Sequence, residues 1–348
     1  MKIKLTSITI CLIFVISIAL ISCKKHDDHK MLNIDYPAVY VVNGSSNDIS
    51  VIRISDNTVT ETIELNGAKF PHHIYINPTK TQLAVAITST DLSGGHAGHG
   101  GSDDGLSIQV INAITGMLTK KIKLSKMPHN GIFNNTGTEL WVGQADTVQS
   151  QIMVFKTSDW SLKNTITVGK GLSEITFSND GSKVFACNTT DATVSMIDAS
   201  TKIITNTFTV GEAPVGAWSA NNGKMYVDNE LGQSISEINP LLNAVTATIN
   251  LGFKPGFVAY NSISSELWVS DATNGKVVYY TLIADTWTIS GNIVTGADAH
   301  AIVFNNEGTV AYVSNQGAGT LSVIDVASHT VIKTISVGSN PNGIAIKE

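Results

Sequence analysis

An all-β chain folded as a seven-bladed β-propeller, its first blade closed by the C-terminal strand, is the architecture the sequence predicts. Three observations carry that expectation. A short apolar strand pattern occurs seven times, first as Val39-Tyr40-Val41-Val42-Asn43 and then from Leu83, Leu140, Val184, Met225, Leu267 and Ala311. A second strand follows each, and its starts (Ser50, Ile108, Ile152, Val194, Ile235, Val277, Leu321) lie 58, 44, 42, 41, 42 and 44 residues apart. Such a period, with alternating apolar residues and turn-forming Asn, Asp and Gly, describes units of four short antiparallel strands. The third observation is at the ends. The chain begins on the second strand of a unit and finishes on a first strand, Asn342 to Lys347, so the two ends complete one blade and leave no open edge.

Composition agrees. Of 348 residues, 43% are hydrophobic and only 14% charged, which excludes a disordered chain and supplies a large core. The formal charge is −6, so no basic surplus exists to neutralise phosphates, and nucleic acid is excluded as a partner.

The N-terminus is read as a targeting segment. Lys2 and Lys4 precede an uncharged apolar run, Ile8 to Ile21, too short and too terminal for a membrane span. The run ends in Leu20-Ile21-Ser22-Cys23, which resembles the bacterial lipobox. That resemblance implies a lipoprotein signal peptide over 1–22, diacylglycerol on Cys23 and a membrane held through that lipid anchor. Cleavage removes the two lysines and takes the formal charge to −8. Residues 23–36, with Lys24-Lys25-His26-Asp27-Asp28-His29-Lys30, read as a polar tether, and 37–348 as the propeller. In lipoproteins of this kind, Lys after the Cys implies the outer membrane. Cys11 departs with the signal and Cys23 takes the lipid, which leaves Cys187 as a lone thiol in an apolar strand, expected to be buried and inert.

The repeats are similar to the YVTN family of surface-layer-like propellers, most closely in Ala311-Tyr312-Val313-Ser314-Asn315, Leu321-Ser322-Val323-Ile324-Asp325 and Val337-Gly338-Ser339-Asn340-Pro341-Asn342-Gly343. The likeness runs from Ala38 to the C-terminus and implies fold far more than function. Tyr40, Trp141, Phe185, Tyr226, Trp268 and Tyr312 share one position in the second strand, with Ala84 in blade two, and are read as packing between blades.

The candidate site comes from register. The loops that enter the innermost strands align Pro71-His72, Pro128-His129, Leu172-Ser173, Pro214-Val215, Pro255-Gly256, Ala299-His300 and Pro341-Asn342. Three of the nine histidines thus begin equivalent channel strands, and His73 adjoins the first. Blade two also carries an insertion, Thr90 to Gly105, with His96 and His99 in a glycine-rich stretch, and strand parity places it over the same mouth. Neutral imidazole is the commonest borderline-soft ligand, so His72, His73, His129, His300, His96 and His99 are expected to gather zinc or copper, or a metal chelate. Blade seven stands two steps from blade two, so His300 would reach a shared ion through a water or the chelate.

Ser173, Val215 and Gly256 leave three blades without such a group, unlike the nitrous oxide reductase propeller, which needs His from nearly every blade. The one arginine, Arg53, lies in a surface-type strand, and no Gly-x-Ser-x-Gly elbow or nucleophile–base pair is present. The expectation is a monomeric, non-catalytic envelope protein that binds metal as an accessory of uptake or sensing, with an outer-membrane transporter or other surface protein as partner. The alternatives are a protein- or glycan-binding surface module without metal, and a copper-dependent propeller oxidoreductase.

Overall fold

Seven four-stranded antiparallel sheets make up the described part of the chain, residues 31–92 and 105–348 of a computed structural model. Six sheets take their strands from consecutive stretches of sequence. The seventh pairs the C-terminal strand Pro341–Lys347 with Ala38–Asn43, which continues into Asp48–Arg53 and Thr58–Glu64. The seven-bladed propeller closed by its own C-terminus is therefore the observed fold.

The innermost strands are Pro341–Lys347 (blade one), Pro71–Ile76, Gly131–Phe133, Leu172–Phe177, Pro214–Ser219, Pro255–Asn261 and Ala299–Phe304 (blade seven). Each packs against the innermost strands of both neighbouring blades, and the ring closes between blades seven and one. Burial falls off radially for that reason. In blade four every residue of the inner strand Leu172–Phe177 is buried, whereas the outer strand Leu162–Thr167 of blade three buries only Ile166. The six aromatics at the shared second-strand position are all buried. Several meet the next blade: Trp141 lies edge-on to Phe177, Trp268 edge-on to Phe304, and the Tyr40 hydroxyl donates to Ala113 O at 2.6 Å. Burying one such ring is worth roughly 2–3 kcal/mol.

The repeated Asn has a local cause. Asn188, Asn229 and Asn315 end second strands, and each donates to two hydroxyls of the next strand, as Asn315 does to Thr320 and Ser322 at 3.0 Å each. The hairpin is thus pinned in register from within. Cys187 is buried, and burial pushes its thiol well above the ordinary value, so it is not a ready nucleophile.

Two features shape the channel. The residue before the inner strand is left-handed in most blades, including the non-glycine residues Phe70, Ala213, Asp298 and Asn340. The chain turns into the channel there. A β-bulge follows at once: Pro71 pairs with Ile87 and Ile74 with Val85, so His72 and His73 together face a single residue of the neighbouring strand. Blades four, five and seven repeat the shift at Leu172/Ile175, Pro214/Ala217 and Ala299/Ile302.

Packing begins earlier than residue 37. Leu32 N and Ile34 N donate to Thr115 O and Ile114 O at 3.1 and 2.9 Å, and Lys347 Nζ donates to Ile34 O at 2.6 Å. Ile34 is fully buried, which is why residues 32–36 belong to the propeller and not to a solvated tether. The signal segment, Cys23, His96 and His99 lie outside the described residues.

Candidate metal centre

The bulge makes two adjacent residues of one strand available to the channel, where a regular strand would offer one. His72 and His73 both use it. Their rings stand 4.4 Å apart and nearly perpendicular, and both reach His129 of blade three, at 4.6 and 5.3 Å between centroids. One nitrogen from each of His72, His73 and His129 can be chosen so that all three lie within 4.8 Å of one another. A buried His triad that could hold a metal ion is therefore present. The exposures of His72, His73 and His129 are 2%, 5% and 1%, so the triad is buried and does not lie open at the channel mouth.

Blade four contributes Glu174. Its Oε1 lies 2.6 Å from His129 Nδ1 and 3.2 Å from His73 Nε2, and its Oε2 accepts from the Tyr75 hydroxyl at 3.0 Å. Glu174 is fully buried. Burial, and then the Glu174 charge, hold the Tyr75 phenol well above its usual range, so it acts as a neutral donor. Asn130, beside His129, bridges the same two blades: its Nδ2 donates to Ile175 O at 2.7 Å and its Oδ1 accepts from Ile175 N at 3.2 Å. Sequence register stops at Ser173 in blade four, and the structure corrects that blank. The bulge brings the next residue inward. The available signal was the place that follows that register, where His73, Asn130 and Glu174 align.

The other register residues have structural partners. Ser173 Oγ lies 2.7 Å from Thr189 Oγ1, whose hydroxyl donates to Pro214 O. Asn342 accepts from Gln316 Nε2 and donates to Pro71 O at 3.4 Å. His300 is buried with its ring 6.5 Å from His72 and 6.2 Å from His73, and it is not one of the three-nitrogen group. It lines a separate cavity of about 50 Å³ with Asp228, Glu230, Lys254 and Asp298. Burial raises the carboxyls of Asp228 and Asp298, while Lys254 reaches Glu230 at 2.5 Å and also acts to lower Asp298. Leu92, from the near end of the blade-two insertion, lines this cavity and packs with Leu106 and Met127. Asp91 accepts from Asn340 Nδ2 at 3.3 Å. The ends of the insertion therefore lie over the face on which the inner strands begin.

The opposite end of the channel is wide. A cavity of about 470 Å³ runs from His73 to the far ends of the inner strands. His329, on a loop beyond blade seven's third strand, is engaged elsewhere: it stacks on Tyr279 at 4.0 Å and meets Glu266 at 3.0 Å.

No family model matches the chain. Over 49 residues it is 43% identical to a PE-PGRS family protein of Mycobacterium tuberculosis, a stretch that spans 14% of this chain and 10% of that protein. The solved structures align over nearly the whole propeller. The periplasmic gluconolactonase of Pseudomonas aeruginosa superposes with a TM-score of 0.70 at 18% identity, over 90% of this chain and 99% of that one. They share a fold. A functionally unknown protein from Desulfotomaculum acetoxidans gives 0.72 at 14% identity, over 89% and 98%. A putative 6-phosphogluconolactonase from Bacteroides uniformis gives 0.70 at 10%, over 89% and 99%. Identities this low establish architecture alone.

Proposed function

We propose that this propeller binds a transition-metal ion, zinc or copper, at His72, His73 and His129, and serves as a non-catalytic binding protein of the cell envelope. The observation that carries the reading is the convergence of three imidazole nitrogens within 4.8 Å in a buried site. An ion held at about 2.0–2.1 Å by tetrahedral imidazoles sets those nitrogens roughly 3.4 Å apart, so modest ring rotation closes the site. Glu174 supports it. A carboxylate on the far nitrogen of a ligating imidazole fixes ring orientation and tautomer and raises ligand basicity. Glu174 does this for two rings at once, so the ion would meet His129 at Nε2 and His73 at Nδ1.

The wider role rests on the sequence. The Leu20-Ile21-Ser22-Cys23 motif supports lipidation on Cys23 and residence at the outer membrane, as a YVTN-type repeat lipoprotein beside a transporter or other surface partner. His300 and the insertion histidines His96 and His99 are proposed as outer donors that deliver or shield the ion. Calorimetric titration of the Met31–Glu348 unit, which forms the closed ring, with Zn²⁺ and Cu²⁺ tests the site. One ion per chain is expected, with binding lost in a His72/His73/His129→Asn variant. Equal binding by both proteins would remove the triad from consideration. Palmitate labelling that survives Cys23→Ser would remove the anchor.

A further inference from the structure

We propose that the wide end of the channel is a binding well for a neutral or anionic, ring-bearing small molecule. The well goes beyond the metal reading and stands without it. The 470 Å³ cavity adjoins a second of about 260 Å³, and Tyr75, Trp218 and Ser219 line both. That size falls within the roughly 300–1,000 Å³ of small-molecule sites.

The wall is aromatic and fixed. Trp218 and Phe257 lie 3.9 Å apart between ring centroids, tilted by 33°. The Trp218 indole is anchored by a 2.7 Å hydrogen bond from Nε1 to Asp228, so its ring is held in place before any ligand arrives. Pre-set rings bind flat molecules with little ordering cost. The floor is polar: His73 and Tyr75 stand at the depth of the Glu174 network.

Charge selects the occupant. In a chain of formal charge −6, the residues that line the well include one cation, Lys80, and no acid. Lys80 Nζ lies 3.3 Å from Ile346 O. An anionic group gains a partner there and a neutral ring loses nothing, whereas the carboxylates that adjoin the wall, Glu174 behind His73 and Tyr75 and Glu348 on Asn306 N, do not line the well and are already engaged.

Fluorescence titration of the protein in EDTA, which silences any metal site, tests this with three ring probes: anilinonaphthalene sulfonate, neutral phenylnaphthylamine and cationic ethidium. The first two should saturate at one per chain, and ethidium should not bind. Ser219 is exposed where the two cavities meet, so Ser219→Trp fills the neck without touching the core. It should weaken both binding probes by about tenfold, near 1.4 kcal/mol. Lys80→Gln should weaken the sulfonate about threefold and leave the neutral probe unchanged. Failure of the first two probes to saturate, unchanged binding by Ser219→Trp, or ethidium binding as tightly as the sulfonate would overturn the proposal.

Discussion

Blades two to four and blades five and six use the same backbone at the channel for opposite purposes. In the first group the strand start carries His72 and His73, His129 and Asn130, and Ser173 and Glu174, all buried and each engaged by a hydrogen bond or ring contact. In the second it carries Val215 and Gly216, and Gly256. The glycines make clearance. A Cβ on Gly216 would stand 2.4 Å from the Trp218 ring, which lies across that place, and a Cβ on Gly256 would stand 3.3 Å from His300 Nδ1. One repeating strand start thus supplies donors on one side of the channel and room on the other. A ring of equivalent units can therefore build an asymmetric site by substitution alone.

Four perturbations test this contrast. The largest effect is expected for Trp218→Ala, which removes a ring packed on Phe257 and leaves the buried Asp228 carboxyl without its indole donor. Urea unfolding should show a loss of about 3–5 kcal/mol. Glu174→Ala should cost about 2–3 kcal/mol, because His129, His73 and Tyr75 lose an acceptor in a dry site, while Val215→Ala costs about 1 kcal/mol. Equal costs for the last two would mean that the polar half is no more than packed filler. Gly216→Ala should destabilise by about 1–3 kcal/mol by displacing Trp218, and Gly256→Ala by less than about 1 kcal/mol.

The fourth concerns pH. Burial raises the folded-state value of Asp228 above its unfolded one, against the Trp218 and Gly216 donors. A carboxyl shifted upward favours the folded state fully below the unfolded value, about 3.9, and that contribution is lost as pH rises through the folded value. Asp228→Asn should therefore gain stability relative to wild type between pH 4 and 7, measured as unfolding free energy against pH. A constant difference across that range would contradict the shift.

The repeats, the closing strand and the interblade aromatics were legible because each rests on local signals: period-two burial, turn residues, and one side chain per unit at a fixed offset. The site was only partly so. His72, His129 and His300 follow from register, but Glu174 does not, since alternation allows one inward residue of each adjacent pair and the bulge at Leu172/Ile175 admits both. Tyr75 is hidden for another reason: its partner, Glu174, stands 99 residues away in sequence, on a different blade. The depth of the histidines was equally illegible, because each inner strand is covered by two neighbours that no single repeat reveals.

A metal centre at the triad is read out by the zinc-induced change in unfolding free energy of wild type, His129→Asn and His300→Asn. Free zinc at 100 times Kd stabilises a folded state by about 2.7 kcal/mol. Wild type and His300→Asn should show that gain, since His300 stands outside the three-nitrogen group, and His129→Asn should lose it. A gain kept in His129→Asn, or absent from wild type, would contradict a metal centre at the triad.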